Sequence, residues 1–266
     1  MDLRKVQGIH STFMIYRGNM KNIWEEYNYL NNCVRNAKNE SFPLPSLAAK
    51  NVNMKTPKDA GGMQSKFLSG ENTKKHFIDA VSLFEDYISS LATVVYSDYP
   101  QKMKSAGMSD EKALDVILNN ITREEMIHYL AEEKVRSIFY GKPVDVFLRD
   151  KCQLELGDCF LTQYKDAINL YGEITGRRNV LIHNSGRIDN KYLRENPNTK
   201  FIEKQKIIIS QEYLCGTIAL LIGIAAKTTE CIVKNIYKGD IRGKLNTSIA
   251  TFERCYANEW YKNLLK

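Results

Sequence analysis

The sequence predicts an all-α protein, and two observations favour that class over one with sheets. After residue 71, apolar residues recur at spacings of three and four, the period of helices that bury one face. The sequence contains no Gly-rich phosphate loop, no alternation of strand and helix patterns and no internal repeat. We therefore expect a helical bundle over residues 71–266, preceded by an irregular N-terminal arm over 1–70 that holds one helix and a connector.

The arm and the first bundle helix differ in how their apolar residues are spaced. Residues 20–36 have the spacing of one amphipathic helix. Residues 41–70 mix Pro, Gly, Ser, Asn and Lys without a sustained period, which predicts an irregular connector. A broad apolar stripe then predicts a long helix over 73–98, begun by a threonine cap and ended near Tyr99 and Pro100.

Capping residues predict the next two helices. Ser109 or Asp110 is suited to cap a short helix that reaches Asn119. Thr122, with Glu125 three residues later, has the pattern of a capping box and predicts a helix that ends near residue 140, before a glycine and a proline.

Three further helices are predicted in the C-terminal half. Apolar spacing indicates the first over 158–184. Six of its side chains are expected to face the core: Phe160, Tyr164, Ile168, Tyr171, Ile174 and Leu181. Residues 187–210 are polar and rich in lysine, with a short strand expected at 206–209. Helices over 211–237 and 243–263 follow, the first apolar almost all round and therefore central.

Composition and charge limit the classes of protein to which this chain can belong. The chain has 38 Lys and Arg against 31 Asp and Glu, a net charge of +7, so it is mildly basic. Its longest uncharged apolar stretch, from Tyr213 to Ala226, is shorter than the roughly 20 residues that cross a bilayer. Its N-terminus has no apolar signal-peptide core. We expect a cytoplasmic protein without a membrane helix, whose six cysteines are reduced core thiols.

No metal and no cofactor are predicted. Catalytic metal sites need clustered ligands, but the four histidines are scattered and no cysteines have Cys-x-x-Cys spacing. Glu125 and His128 have the Glu-x-x-His spacing of di-iron bundles, yet no second copy occurs. We therefore expect Glu125 to cap its helix beside a half-buried His128.

The segment Gly172–Leu193 carries the residues best suited to chemistry. Arg177 and Arg178 precede His183 within one predicted helix, which ends directly after the histidine. Arginine can hold a phosphate through two parallel hydrogen bonds, and an imidazole with an ordinary pKa of about 6.5 exchanges protons near neutral pH. An arginine and a histidine at a helix end therefore suit a phosphodiester substrate.

Spacing alone does not single out this pair, because three histidines in the chain follow an arginine after four to six intervening residues. The three pairs are Arg4 with His10, Arg123 with His128, and Arg178 with His183. A glycine interrupts the first, and two glutamates inside the second would repel a phosphate. Only the third has neither a glycine nor an acidic residue inside it. The alternative interpretation is that both Arg177 and Arg178 are solvated and that His183 only makes a contact at the C-terminal cap of the helix.

The run RNVLIH from Arg178 to His183, followed by Asn184, resembles the signature of HEPN-domain proteins. That signature is an arginine, four to six residues and a histidine, commonly with a polar residue such as Asn179 directly after the arginine. The resemblance covers roughly residues 73–263 and implies an α-helical bundle with the motif late in a long helix. It also implies a metal-independent endoribonuclease of toxin or phage-defence systems, with Arg178, Asn179 and His183 in catalysis.

The mechanism that the resemblance implies needs two chains. Attack by a 2′-hydroxyl would leave a 2′,3′-cyclic phosphate and a 5′-hydroxyl, and it needs both a proton acceptor and a proton donor. A homodimer through the motif helix would supply two copies of His183. The residues expected to contact RNA are Arg177, Asn184, Arg187 and Lys191. The last two belong to a basic segment over 187–206, for which a solvated loop is an equal alternative.

Two other interpretations stay open. One is a catalytically inactive HEPN module that binds RNA or a partner protein, such as an antitoxin or another component of a defence system. The other is a helical protein in which the motif arises by chance. Intact Arg178 and His183 favour the nuclease over the inactive module.

Overall fold

The protein is all-α, as the sequence predicts. The computed structural model describes residues 3–36, 60–103, 118–119, 122–139 and 143–265, and it is 79% helical with no strand among them. The described residues form ten α-helices: α1 Leu3–Asn36, α2 Ala60–Lys66, α3 Asn72–Asp98, α4 Arg123–Phe139, α5 Asp145–Leu148, α6 Lys165–His183, α7 Asn190–Glu195, α8 Gln211–Asn235, α9 Gly243–Ala257 and α10 Trp260–Leu264. Shorter helical turns are a π turn before α3, a 3₁₀ turn after it and a π turn before α6: Phe67–Glu71, Pro100–Met103 and Cys159–Gln163.

Helix α8 lies at the centre of the bundle, because apolar side chains cover almost its whole surface. It packs against α1, α3, α6, α9 and α10. Ser210 caps it, since its Oγ accepts the Tyr213 N–H at 3.1 Å. The Phe252 ring of α9 lies so close that a Cβ atom at Gly223 would be 2.0 Å from its Cδ2. Helix α8 is long and apolar enough to cross a bilayer, and 78% of its most apolar window is buried inside the protein.

Helix α1 begins at Leu3, so the predicted start at residue 20 is wrong. Four apolar side chains before that residue are buried at helical spacing: Val6, Ile9, Phe13 and Tyr16. Gly8 and Gly18 lie in the same stretch, where an added Cβ would meet nothing within 4 Å. Packing of the opposite face therefore holds this part helical in spite of two glycines.

Helix α1 shares one hydrophobic core with α3 and α8. The Tyr16 ring stacks on Tyr87 of α3 with the ring centroids 4.3 Å apart. Asn72 is buried, and its Nδ2 donates to Asn31 Oδ1 at 2.9 Å and to the Tyr27 carbonyl at 3.2 Å. A buried amide with two acceptors fixes the register of α1 against α3.

The prediction of an irregular connector over 41–70 is wrong for the residues that the structure describes. Residues 60–70 form α2 and most of the π turn, whereas 37–59 lie outside the described residues. Helix α3 continues directly from that turn and has no side-chain cap, so the predicted threonine cap is also wrong. The short helix predicted to reach Asn119 lies mostly outside the described residues.

Three further predictions had different outcomes. Glu125 N–H donates to Thr122 Oγ1 at 3.1 Å and Thr122 N–H to Glu125 Oε2 at 2.9 Å, which confirms the capping box of α4. The helix predicted over 243–263 is broken into α9 and α10 at Glu259, whose φ of 52° is left-handed. The strand predicted at 206–209 is only a single bridge between Arg187 and Lys206.

Candidate functional site at the end of helix α6

Helix α6 ends directly after His183, as predicted. The N–H groups of Asn184 and Gly186 both donate to the Val180 carbonyl at 3.0 Å. Ser185 and Gly186 have φ values of 52° and 77°, the left-handed conformation that turns the chain away from a helix end. His183 therefore occupies the last helical position of α6.

Arg178 points inward from α6 towards α3. Its Nη2 donates to both carboxylate oxygens of Glu85, and the two side chains are 18% and 21% exposed. Its Nε is buried and has no hydrogen-bond partner. Burial raises the pKa of the Glu85 carboxyl, although the adjacent guanidinium opposes that shift. Of the three guanidinium nitrogens, Nη1 is thus the one available to an added phosphate.

His183 is exposed, and its side chain makes no hydrogen bond or ion pair with the described residues. Asn179, one turn earlier on the same stripe, is half-buried, and its side chain also makes no hydrogen bond with the described residues. Arg178 and His183 do not contact each other within one chain, since five residues correspond to a rotation of roughly 140° about a helix. The His183 imidazole is thus accessible, while the Arg178 guanidinium is held on a different side of helix α6.

Arg177 does not have the placement expected of an RNA contact, which corrects that prediction. Its side chain is 7% exposed, and its Nε donates to Glu173 one turn earlier. The guanidinium carbon lies 3.9 Å from the centroid of the Tyr213 ring and 5.1 Å from that of Phe201. A guanidinium enclosed by a carboxylate and two aromatic rings stabilises the fold and cannot reach a ligand.

Glu173 holds three helices together, a role that the sequence did not predict. Its carboxylate accepts hydrogen bonds from the hydroxyls of Tyr192 on α7, at 2.6 Å, and Tyr213 on α8, besides that from Arg177. Burial, followed by the Glu173 charge, raises the pKa of both tyrosines. The local sequence signal for these contacts of Glu173 was the i, i+4 spacing of Glu173 and Arg177, whereas the two tyrosines come from distant segments. This carboxylate fixes the basic segment beside the motif helix.

The basic segment over 187–206 presents its charges to solvent. Its six basic side chains are all exposed: Arg187, Lys191, Arg194, Lys200, Lys204 and Lys206. Arg187 Nη1 donates to the Lys204 carbonyl at 3.4 Å, which ties the two ends of the segment. Asn184 donates to the Asp189 carboxylate, whose Oδ1 caps α7 by accepting the Tyr192 N–H at 2.8 Å. Arg187 and Lys191 are accessible to an anionic ligand, whereas the Asn184 amide is occupied.

The other two Arg-His pairs lie in different surroundings. His128 is exposed, contrary to the half-buried position predicted for it, and its Nδ1 lies 3.6 Å from Glu132. His10 lies within α1, and its Nε2 is buried without a hydrogen-bond partner. Within the described residues, no group of three or more His, Cys, Asp and Glu side chains could hold a metal ion.

Comparisons of the chain with protein-family models, with curated proteins and with solved structures gave no match. The site is therefore interpreted from its own geometry. It joins an accessible imidazole, a guanidinium that is 18% exposed and fixed by a carboxylate, and a segment of exposed basic side chains. These groups suit a polyanion with phosphodiester bonds.

Proposed function

We propose that this protein is a metal-independent endoribonuclease of the HEPN type. The observation that supports this proposal most is His183, an exposed imidazole that makes no hydrogen bond or ion pair with the described residues, at the end of α6 and beside the basic segment. Its backbone position is fixed by the hydrogen bonds of Asn184 and Gly186 to Val180. A group that transfers protons needs this combination of accessibility and a rigid support.

The proposed reaction is an internal transesterification of RNA. A base removes the proton of the 2′-hydroxyl, whose oxygen attacks the phosphorus, while an acid donates a proton to the departing 5′-oxygen. The products are a 2′,3′-cyclic phosphate and a 5′-hydroxyl. One chain offers one suitable histidine, so we propose a homodimer in which the ends of the two α6 helices face each other and both His183 side chains act.

Arg178 would stabilise the charge on the phosphate through its Nη1 group. Nη2 is held by Glu85 and Nε is buried. A phosphate contact that used both Nη2 and Nε would therefore need the ion pair with Glu85 to open. Asn179, on the His183 stripe, would add a neutral hydrogen-bond donor. A guanidinium fixed before the substrate arrives loses little entropy on binding, which favours the transition state.

The exposed basic segment would guide RNA to this site. Arg187 and Lys191 would contact phosphates, and such contacts attract any sequence while salt weakens them. A nuclease with so little sequence readout suits a toxin or an anti-phage effector in the cytoplasm, restrained by an antitoxin or another partner protein.

A second candidate function is an inactive HEPN module that binds RNA or a partner protein. One observation favours it: Glu85 neutralises the guanidinium of Arg178. If this ion pair persists on RNA, binding would come from the basic segment and no cleavage would follow. The two candidates therefore differ in cleavage and not in binding.

A cleavage assay distinguishes them. The protein is mixed, in excess EDTA, with single-stranded RNA and with DNA of the same sequence, and the ends of the products are identified. We expect RNA alone to be cut, with cyclic phosphate and 5′-hydroxyl ends, and a 2′-O-methyl group at the cut site to block the reaction. A His183→Ala preparation, purified in parallel, controls for contaminating ribonuclease. Cleavage that needs a divalent ion would contradict the mechanism, and RNA binding without cleavage would favour the second candidate.

A further inference from the structure

Helix α7, which carries part of the basic segment, packs closely against the motif helix α6. At Gly176 of α6, an added Cβ atom would lie 3.2 Å from the Tyr192 ring of α7 and 3.2 Å from Nδ2 of Asn196, which directly follows α7. Real Cβ atoms rarely approach a neighbour so closely. The two helices therefore meet at this distance because Gly176 has no side chain.

The Tyr192 side chain fixes α7 in this position. It is 2% exposed, and its hydroxyl donates to Glu173 Oε1 of α6 at 2.6 Å. The centroid of its ring lies 6.3 Å from that of Phe201, and the Phe201 centroid lies 5.1 Å from the Arg177 guanidinium carbon of α6. Helix α7 is thus held to α6 by a buried hydrogen bond and by ring contacts on the same side.

A second attachment joins the start of α7 to the end of α6. Asp189 caps α7, since its Oδ1 accepts the Tyr192 N–H at 2.8 Å, and its Oδ2 accepts a hydrogen bond from the Asn184 side chain. Asn184 directly follows His183. The position of α7 relative to the end of α6 is therefore set at two points, by Asp189 and by Tyr192.

Helix α7 presents two cations to solvent. Lys191 and Arg194 are exposed and three residues apart, so they share one face of the helix, whereas Tyr192 is buried against α6. Because α7 is fixed on α6, the backbone positions that carry the two cations are fixed as well. Such a pair can bind phosphates of one RNA strand without first ordering the backbone, which lowers the entropy cost of binding.

We propose that Tyr192 and Gly176 are positioning residues for RNA, which hold the two cations of α7 in the place where they bind the phosphates of the strand. Neither residue touches RNA itself, and both act through Lys191 and Arg194. The inference rests on the proposed function, because it takes RNA as the ligand of the basic segment. Displacing α7 should therefore raise Kd and KM for RNA without changing kcat.

Two alanine substitutions on α6 form a matched test. Gly176→Ala places a Cβ 3.2 Å from the Tyr192 ring, whereas Gly172→Ala, one turn earlier, places one 3.1 Å from Val144 Cγ1 and away from α7. Filter binding of a single-stranded RNA oligonucleotide is measured with chains that also carry His183→Ala, so that the RNA stays intact. We expect Gly176→Ala to raise Kd about ten-fold and Gly172→Ala to change it by less than about two-fold. Equal effects of the two substitutions would overturn the proposal.

The salt dependence of binding distinguishes positioning from a merely structural role. Tyr192→Phe removes only the hydroxyl, and its control is Tyr237→Phe, because the Tyr237 hydroxyl also donates to a carboxylate, Oδ2 of Asp98 at the end of α3, at 2.7 Å. Each phosphate contact on a single strand contributes about 0.7 to the slope of log Kd against log salt concentration. We expect Tyr192→Phe to lower this slope, by about 1.4 if both contacts of α7 are lost, and Tyr237→Phe to leave it unchanged. An unchanged slope for Tyr192→Phe would overturn the proposal.

Removing the two cations tests whether Tyr192 acts through them. In a chain with Lys191→Ala and Arg194→Ala, adding Tyr192→Phe should change Kd by no more than about two-fold, because the groups that it positions are already missing. A further loss as large as in the chain with both cations would contradict this route.

Binding and cleavage separate this inference from the proposed function. Binding as expected, with no cleavage by the wild-type chain, would overturn the nuclease and support the positioning role. Cleavage by the wild-type chain, with no effect of Gly176→Ala on Kd or KM, would overturn the positioning role alone. A wild-type chain that binds no RNA would overturn both.

Discussion

Arg178 on α6 is anchored by Glu85 on α3, 93 residues away in sequence, through hydrogen bonds from one guanidinium nitrogen to both carboxylate oxygens. The pair is about four-fifths buried. In the proposed nuclease this contact makes Glu85 a positioning residue, since it acts on the substrate only through the arginine.

Glu85→Gln removes the charge of this anchor and keeps its shape. We expect the catalytic rate to fall about ten-fold with little change in KM, which corresponds to ~1.4 kcal/mol of lost transition-state stabilisation. Asp86→Asn, an exposed neighbour on the same helix, should change neither. The measurement is steady-state cleavage of RNA in EDTA. A faster Glu85→Gln enzyme would mean that Glu85 restrains Arg178.

Adjacent or nearby arginines are expected to have separate roles. Arg177→Ala leaves Glu173, whose side chain is only 19% exposed, without its cation and should lower the free energy of unfolding by about 3–5 kcal/mol. Arg187→Ala, at an exposed position, should change it by no more than about 0.5 kcal/mol but weaken RNA binding at low salt. Urea unfolding and filter binding at several salt concentrations measure both quantities. Equal stability of the two variants would contradict the buried role of Arg177.

Substitution by alanine should have opposite effects on stability at two glycines. At Gly223 the new Cβ would overlap the Phe252 ring, so Gly223→Ala should destabilise the fold by about 1–3 kcal/mol. At Gly18 the Cβ meets nothing within 4 Å, and Gly18→Ala should stabilise it by about 0.5–1 kcal/mol through helix propensity. Thermal or urea unfolding checks the two signs, and a destabilising Gly18→Ala would argue against a continuous helix α1.

Subunit mixing tests the two-chain site. Equal amounts of wild-type and His183→Ala chains that pair at random should give about one quarter of the wild-type activity if mixed dimers are inactive. Cleavage is measured after time for exchange, together with the mass in solution. A fall to one half, together with a monomeric mass, would show that one chain suffices.

The sequence predicted what depends on local signals. The capping box of Thr122 and Glu125 is such a signal, because four residues contain every donor and acceptor it needs. The end of α6 after His183 is another, since the following Ser185 and Gly186 adopt left-handed backbone. The first half of α1 was missed because Gly8 and Gly18 weaken its helical pattern, which only its buried face restores.

What depends on distant segments was not predicted. Two adjacent arginines look alike in sequence, but Arg177 is enclosed by side chains from α6, α8 and the loop after α7, while Arg178 meets Glu85 of α3. No spacing rule relates residues 93 positions apart.

The most direct test of the proposed site compares two histidines that each follow an arginine at the same spacing. His183 ends α6 beside the basic segment, whereas His128 is exposed on α4 next to Glu132. In single-turnover cleavage of RNA with EDTA, we expect His183→Ala to lose about 10²–10⁴-fold in rate and His128→Ala to stay within about two-fold of wild type. Equal effects of the two substitutions, or an active His183→Ala enzyme, would contradict the assignment of catalysis to the end of helix α6.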